Sequence, residues 1–214
     1  MGVCIHYFAI PTQSTLYTQI SEDLGANALT FALGTNGLFR YQLDDMLFFP
    51  GEKEEVINSL ITQCRPVLGI QPRKKVDQFL AELERTRTEY PGIEKRVAMI
   101  EKCSLEIENK LRLILEKKQI SDARLIDHIM WGDASLHPTL SKSSQVRQPG
   151  EEVLDLITPT MVQEGARVLA SLDLKIVFPD EDHQSSWYQE NYARWRNAYL
   201  AVAEHREAII VCIS

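Results

Sequence analysis

Two short runs of continuous apolar residues, lying almost a whole chain apart, constrain this sequence more than anything between them. Val3 to Ile10 is apolar, aromatic and β-branched and is stopped by Pro11; Ala208-Ile209-Ile210-Val211-Cys212-Ile213 has the same character. Both are too short for a core helix, and neither alternates with polar residues, so each reads as a strand buried on both faces. Such strands are expected to sit side by side in the interior of one sheet. Because the stretch between them is mostly helical in pattern, the fold class that follows is α+β: a small sheet holding both runs, packed with several helices.

The 214 residues, 44% hydrophobic and 25% charged, suffice for one core without metal or disulfide help, so residues 1–214 are expected to form a single α+β domain. Ser14 opens a first helix carrying Leu16, Tyr17, Ile20 and Leu24. Residues 29–41 read as a hairpin about Asn36-Gly37 or as a helix, and the hairpin is favoured. From Glu52 a stripe of Val56, Ile57, Leu60, Ile61 and Cys64 gives a helix that Pro66 is expected to end. Another starts at Pro72, carries Val76, Phe79, Leu80 and Leu83, and breaks at Pro91-Gly92.

Beyond that break, Ile93, Val97, Ile100, Ser104, Ile107, Leu111 and Ile114 step by fours and threes, the spacing of a helix seam. This predicts a long antiparallel helical hairpin over about 72–118, its seam either packed in the core or self-associating, with core packing favoured. Ser121 caps a helix with Leu125, Ile126, Ile129 and Met130 that Gly132 ends, and Ser135 to Gly150 reads as a loop. Thr158-Pro159 opens a helix with Val162, Ala166 and Leu169 inward; Leu172 to Phe178 is a strand or a helical turn; Tyr188, Tyr192, Trp195, Tyr199 and Val202 share one side of the last helix.

The formal charge of −7 repels nucleic acid and anionic lipid, and Arg73-Lys74-Lys75, with no aromatic interleaving, reads as a solvated face. The opening residues do not have the pattern of a signal peptide, so none is expected, and no apolar run of about 18 residues occurs in the sequence. Met1-Gly2 is followed by His6 where myristoylation wants Ser or Thr. A cytoplasmic protein that engages neither membrane nor nucleic acid is the expectation. The four cysteines, Cys4, Cys64, Cys103 and Cys212, lack zinc or redox spacing and read as reduced, buried thiols.

The order Leu156-Ile157-Thr158-Pro159-Thr160-Met161-Val162, then Ala166, Leu169 and Leu172, then an aromatic helix ending in Ala201 and Ala203, then Ala208-Ile209-Ile210-Val211, resembles the YfbM-like family of uncharacterised bacterial proteins. Met1-Gly2-Val3 with Tyr7-Phe8 is similar to that family's start. The likeness covers roughly the first fifteen and last sixty residues and lies in caps and strands. It implies a small α+β fold, and no activity or catalytic residues come with it.

No phosphate loop, HExxH, nucleophile elbow or deaminase signature is present, and Gly34 to Gly37 reads as a turn. The candidate chemistry is His128, Asp133 and His137, two imidazoles and a carboxylate at a helix end, where the carboxylate can fix a tautomer for acid–base work. The simpler reading has His128 complementing the helix dipole and Asp133 making a turn. Trp131, Tyr192 and Trp195 are the ligand-lining candidates, although aromatic residues at helical spacing are more often core. Asp180, Glu181, Asp182 and His183 lack the spacing of a cation loop, so no metal site and no cofactor are expected. The functional expectation is a non-enzymatic protein-interaction module with a protein partner or self-association; the alternative is a small-molecule-binding protein or enzyme using the His/Asp cluster.

Overall fold

The computed structural model describes residues 4–35, 52–101, 103–118, 123–136, 153–179 and 183–213. Strand β1 (Cys4–Ile10) is followed by helices α1 (Thr15–Glu22), α2 (Leu24–Thr35), α3 (Glu52–Leu68) and α4 (Pro72–Glu89). Then come β2 (Val97–Glu101), α5 (Ser104–Lys117), α6 (Ala123–Trp131), β3 (Ala134–Ser135), β4 (Val153–Ile157), α7 (Pro159–Ala170), α8 (Leu174–Val177), α9 (His183–Glu204) and β5 (Ala208–Ile213). The strands form one five-stranded antiparallel sheet in the order β2-β1-β5-β4-β3.

The expected union of the two apolar runs is present. β1 and β5 are neighbours at the sheet's interior, with Ile5 opposite Ile213 and Tyr7 opposite Val211. Helices cover both faces, which is why neither strand alternates in polarity. Ile5, Tyr7 and Ala9 join Ile209, Val211 and Ile213 in a core built with α5, α6, α7, α8 and α9. Phe8 and Ile10 join Ala208, Ile210 and Cys212 in a second core built with α1, α2, α3 and α4. The fold class is therefore α+β.

Several boundaries follow the expected chemistry. Ser14 Oγ accepts from the Tyr17 amide at 3.1 Å and caps α1. Pro72 opens α4, and Pro91-Gly92 follows its end at Tyr90. Thr158 caps α7 immediately before Pro159.

Three expectations are corrected. Residues 29–35 belong to helix α2 and not to a hairpin strand; Asn36-Gly37 and the rest of that reading lie outside the described residues. Leu29 and Leu33 face the core while Ala26, Asn27, Thr30 and Ala32 are also buried, so α2 lies between neighbours and shows no clear polar face. Pro66 does not end α3, which runs two residues further to Leu68. The donor missing at Pro66 would have met the Thr62 carbonyl, on an exposed turn close to the helix end where the loss is small.

The third correction concerns the long helical hairpin over 72–118. Val97–Glu101 is strand β2, paired antiparallel with β1, and helix resumes only at Ser104. Ile93, Ile100, Ile107 and Leu111 are nonetheless all fully buried in one core, because a turn, a strand and a helix in succession deliver them to the same layer. The seam is core, as favoured, and its buried residues offer nothing for self-association. Ala98 and Ile100, two apart, carry the strand periodicity that the fours and threes concealed. Leu172 to Phe178 resolves into the short helix α8, capped by Asp173. The outer edge of β2 is closed by α9, where Asn191 Oδ1 accepts from the Glu101 amide at 3.1 Å.

Helices α6, α7 and α9 meet at Gly165, where an added Cβ would lie 2.5 Å from Ile129 Cγ2 and 2.6 Å from the Tyr199 hydroxyl. Cys64, Cys103 and Cys212 are buried, Cys4 is half-buried, and none of the four is in a disulfide. Burial pushes the Cys64 and Cys103 thiols up from 9.0 to about 11. The unfolded chain therefore loses these protons at lower pH than the folded one, so stability drops as pH climbs from 9.0 toward about 11. Urea midpoints measured across that interval should fall less steeply in a Cys64→Ala/Cys103→Ala variant; an unchanged slope would show that other groups govern the decline.

Candidate functional site

The segment from His128 to Leu136 joins α6 to the edge of the sheet. The last turn of α6 is held from two directions: the Tyr7 hydroxyl on β1 donates to the Met130 carbonyl at 2.9 Å, and the Gly132 amide donates to the His128 carbonyl at 3.1 Å. Gly132 has φ +102, which turns the chain out of the helix so that the Asp133 amide reaches the Leu156 carbonyl on β4 at 3.0 Å. Asp133 is thereby placed beside the start of α7.

There its carboxylate is fully engaged with one residue. Oδ1 accepts from the Thr158 amide at 2.6 Å and Oδ2 accepts from the Thr158 hydroxyl at 2.7 Å. The Thr158 hydroxyl in turn accepts from the Met161 amide at 3.4 Å. A negative charge thus sits at the N-terminal end of α7, where the amide dipoles favour it. Among the described residues the His128 imidazole makes no hydrogen bond or ion pair, and His137 lies outside them. The structure ties Asp133 to Thr158, with no contact that orients His128 for proton transfer.

The aromatic candidates are fixed in the same manner. Trp131 Nε1 donates to Glu108 Oε2 at 3.0 Å, while Glu108 Oε1 receives Arg112 through Nε at 2.9 Å and Nη2 at 2.8 Å; Arg112 also meets Asp127. This network fastens α6 to α5. Tyr192 and Trp195 are both 0% exposed. The Tyr192 hydroxyl donates to the Leu172 carbonyl at 2.6 Å. Trp195 is ringed by Tyr7, Tyr192 and Tyr199 at centroid distances of 5.8, 6.1 and 5.8 Å, the tilted and edge-on contacts that aromatic quadrupoles prefer. Burial raises the Tyr192 phenol above its ordinary range, and burial together with the Asp133 charge does the same at Tyr199, so both stay protonated donors. The void bounded by Tyr7, Arg96, Trp195 and Tyr199 measures about 10 Å³, room for a single water and no larger ligand.

Among the described residues no three His, Cys, Asp or Glu side chains converge as a metal site. Asp180, Glu181 and Asp182 lie outside those residues, and His183 opens α9. Within the described residues no helix is long and apolar enough to cross a membrane.

Two features escaped the sequence reading. Arg96, just before β2, and Glu207, just before β5, form a buried two-pronged ion pair, Nε to Oε2 at 2.7 Å and Nη2 to Oε1 at 2.8 Å. A charged residue immediately before each strand was the available signal. At the α3–α4 turn, Ile70 is 98% exposed, the most exposed of the large hydrophobic side chains described. An isoleucine inside Gly69-Ile70-Gln71-Pro72, where the turn leaves nothing apolar to cover it, was the sign there.

What these elements define is an α+β protein with a sheet buried between two helical layers. Compared with protein-family models, curated proteins and solved structures, the chain finds no match in any of the three.

Proposed function

We propose that the protein works by holding a macromolecular partner and not by transforming a small molecule. The observation that carries this reading is the set of large aliphatic side chains left in water on its helices: Ile70 at the α3–α4 turn, Leu105 and Leu113 on α5, and Leu24 and Val67 beside the turn. The engagement of Asp133 by Thr158 adds support, since the carboxylate that would tune an imidazole serves as a helix brace. Kinship with the YfbM-like family is proposed at the level of fold alone, on the Thr158-Pro159 helix entry, the aromatic helix and the closing strand.

Removing the brace separates this reading from its rival. Asp133→Ala should lower unfolding stability by about 1.5–3 kcal/mol, the worth of hydrogen bonds to a charged group, while the folded protein retains its partner as wild type does. A small molecule that raises the thermal midpoint of the wild type but not of a folded His128→Ala variant would sink the proposal and restore the His128, Asp133 and His137 site.

A further inference from the structure

We propose that the pocket walled by Tyr7, Arg96, Ala98, Trp195, Ala198 and Tyr199 is a binding site for one water molecule, which accepts the Trp195 indole N–H and joins α9 to the sheet beside the Arg96–Glu207 ion pair. Trp195 is 0% exposed, and its Nε1 has no hydrogen-bond partner among the described residues. A buried donor left unmet gives up its bond to solvent and gains nothing in return, so such groups are found almost always with a protein or an ordered-water partner. The same indole forms part of the wall of a pocket of about 10 Å³, the size of one water. An orphaned donor and a space that fits a single acceptor thus share one side chain.

The chemistry of the wall selects the guest. Indole and guanidinium nitrogens only donate. Arg96 directs Nε and Nη2 to Glu207, and its Nη1 has no hydrogen-bond partner among the described residues. The guest must therefore accept. Glu207 already balances the charge of Arg96, so the wall does not favour an anion over a neutral acceptor, and the volume admits nothing larger than water. The competing arrangement is an N–H laid over a ring face, since the Tyr7 and Tyr199 ring centroids are both 5.8 Å from that of Trp195. Such a contact is weak beside a bond to a water oxygen. Trp195 lies on α9, Ala98 lies on β2, and the Arg96 carbonyl receives the Ala9 amide of β1, so a water at this point couples the last helix to the edge of the sheet.

Nuclear magnetic resonance of the full chain, isotopically labelled at tryptophan, tests the site. The Trp195 indole proton is identified by its loss in Trp195→Phe. In the wild type it should show cross-relaxation to a water that tumbles with the protein, whereas the exposed Trp187 indole should show only the opposite sign given by fast-exchanging solvent. Ala198→Val adds methyl groups at the pocket wall and should abolish the Trp195 signal in the folded protein. A high-resolution crystal structure should place a water about 2.7–3.2 Å from Nε1. No long-lived water at the Trp195 indole, a signal that persists in folded Ala198→Val, or a crystal in which Nε1 faces a tyrosine ring with no water beside it overturns the assignment. Should Ala198→Val fail to fold, the wild-type signal and the crystal decide.

Discussion

Alanine in place of Gly132 is expected to lower the free energy of unfolding by about 3–5 kcal/mol, through two effects that act at one atom. The residue has φ +102, a region that L side chains rarely adopt. The new Cβ would also lie 2.6 Å from Asp155 Cβ, 3.2 Å from the Leu156 carbonyl oxygen and 3.4 Å from the Leu156 nitrogen. Those neighbours belong to β4, which is held by β5, so they cannot move aside as the end of a flexible side chain could. Relief requires α6 to lift from the sheet, breaking the bonds of Gly132 to His128 and Asp133 to Leu156. Chemical denaturation settles the point: a loss under about 1 kcal/mol would mean that the turn relaxes locally and that α6 is not locked to the sheet edge.

The second large effect is expected at the Arg96–Glu207 pair, whose side chains are only 7% and 5% exposed. β1 lies between β2 and β5, and the pair bridges the two strands that flank it, beside the Ala9 amide bond to the Arg96 carbonyl at 3.3 Å. Glu207 is aimed by the turn that ends α9. Its amide reaches back to the Val202 carbonyl at 3.2 Å and the Arg206 amide to Ala203 at 3.1 Å, with Arg206 in the left-handed region at φ +55. Arg96→Met strands a buried carboxylate and should cost about 3–5 kcal/mol, whereas Arg96→Met/Glu207→Leu should recover most of that loss, because desolvation of two charges offsets much of their attraction. A double-mutant cycle measures the coupling. Additive losses from the two single replacements would show that the pair is not an energetic unit.

How far the sequence reached is explained by the range of the interactions involved. β1 and β5 were legible because burial on both faces leaves an uninterrupted apolar run, and the Ser14 and Thr158 caps because a cap lies within three residues of the amide it satisfies. β2 was hidden by a coincidence of spacing, since Ile93, Ile100 and Ile107 fit a helical seam equally well, and only the open edge of β1 decides for a strand. β4 was missed because Asp155 interrupts Val-Leu-Asp-Leu-Ile, and β3 because it has two residues. At the candidate site the residue types were visible and their partners were not. Asp133 meets Thr158 twenty-five positions away, and Arg96 meets Glu207 at a separation of 111, distances over which local pattern carries no information.

The placement of β5 between β1 and β4 bears on how the molecule is assembled. The other four described strands are synthesised earlier, so a nascent chain can zip β1 to β2 and β4 to β3 while the slot between the two ribbons stands empty. Until residues 208–213 emerge and fill it, each ribbon presents unpaired amides and carbonyls flanked by apolar side chains, a template for mispairing with other chains. The loop that must close is nearly the full sequence, which makes completion of the sheet slow relative to its helices. The period of greatest vulnerability for this sheet is therefore the wait for β5.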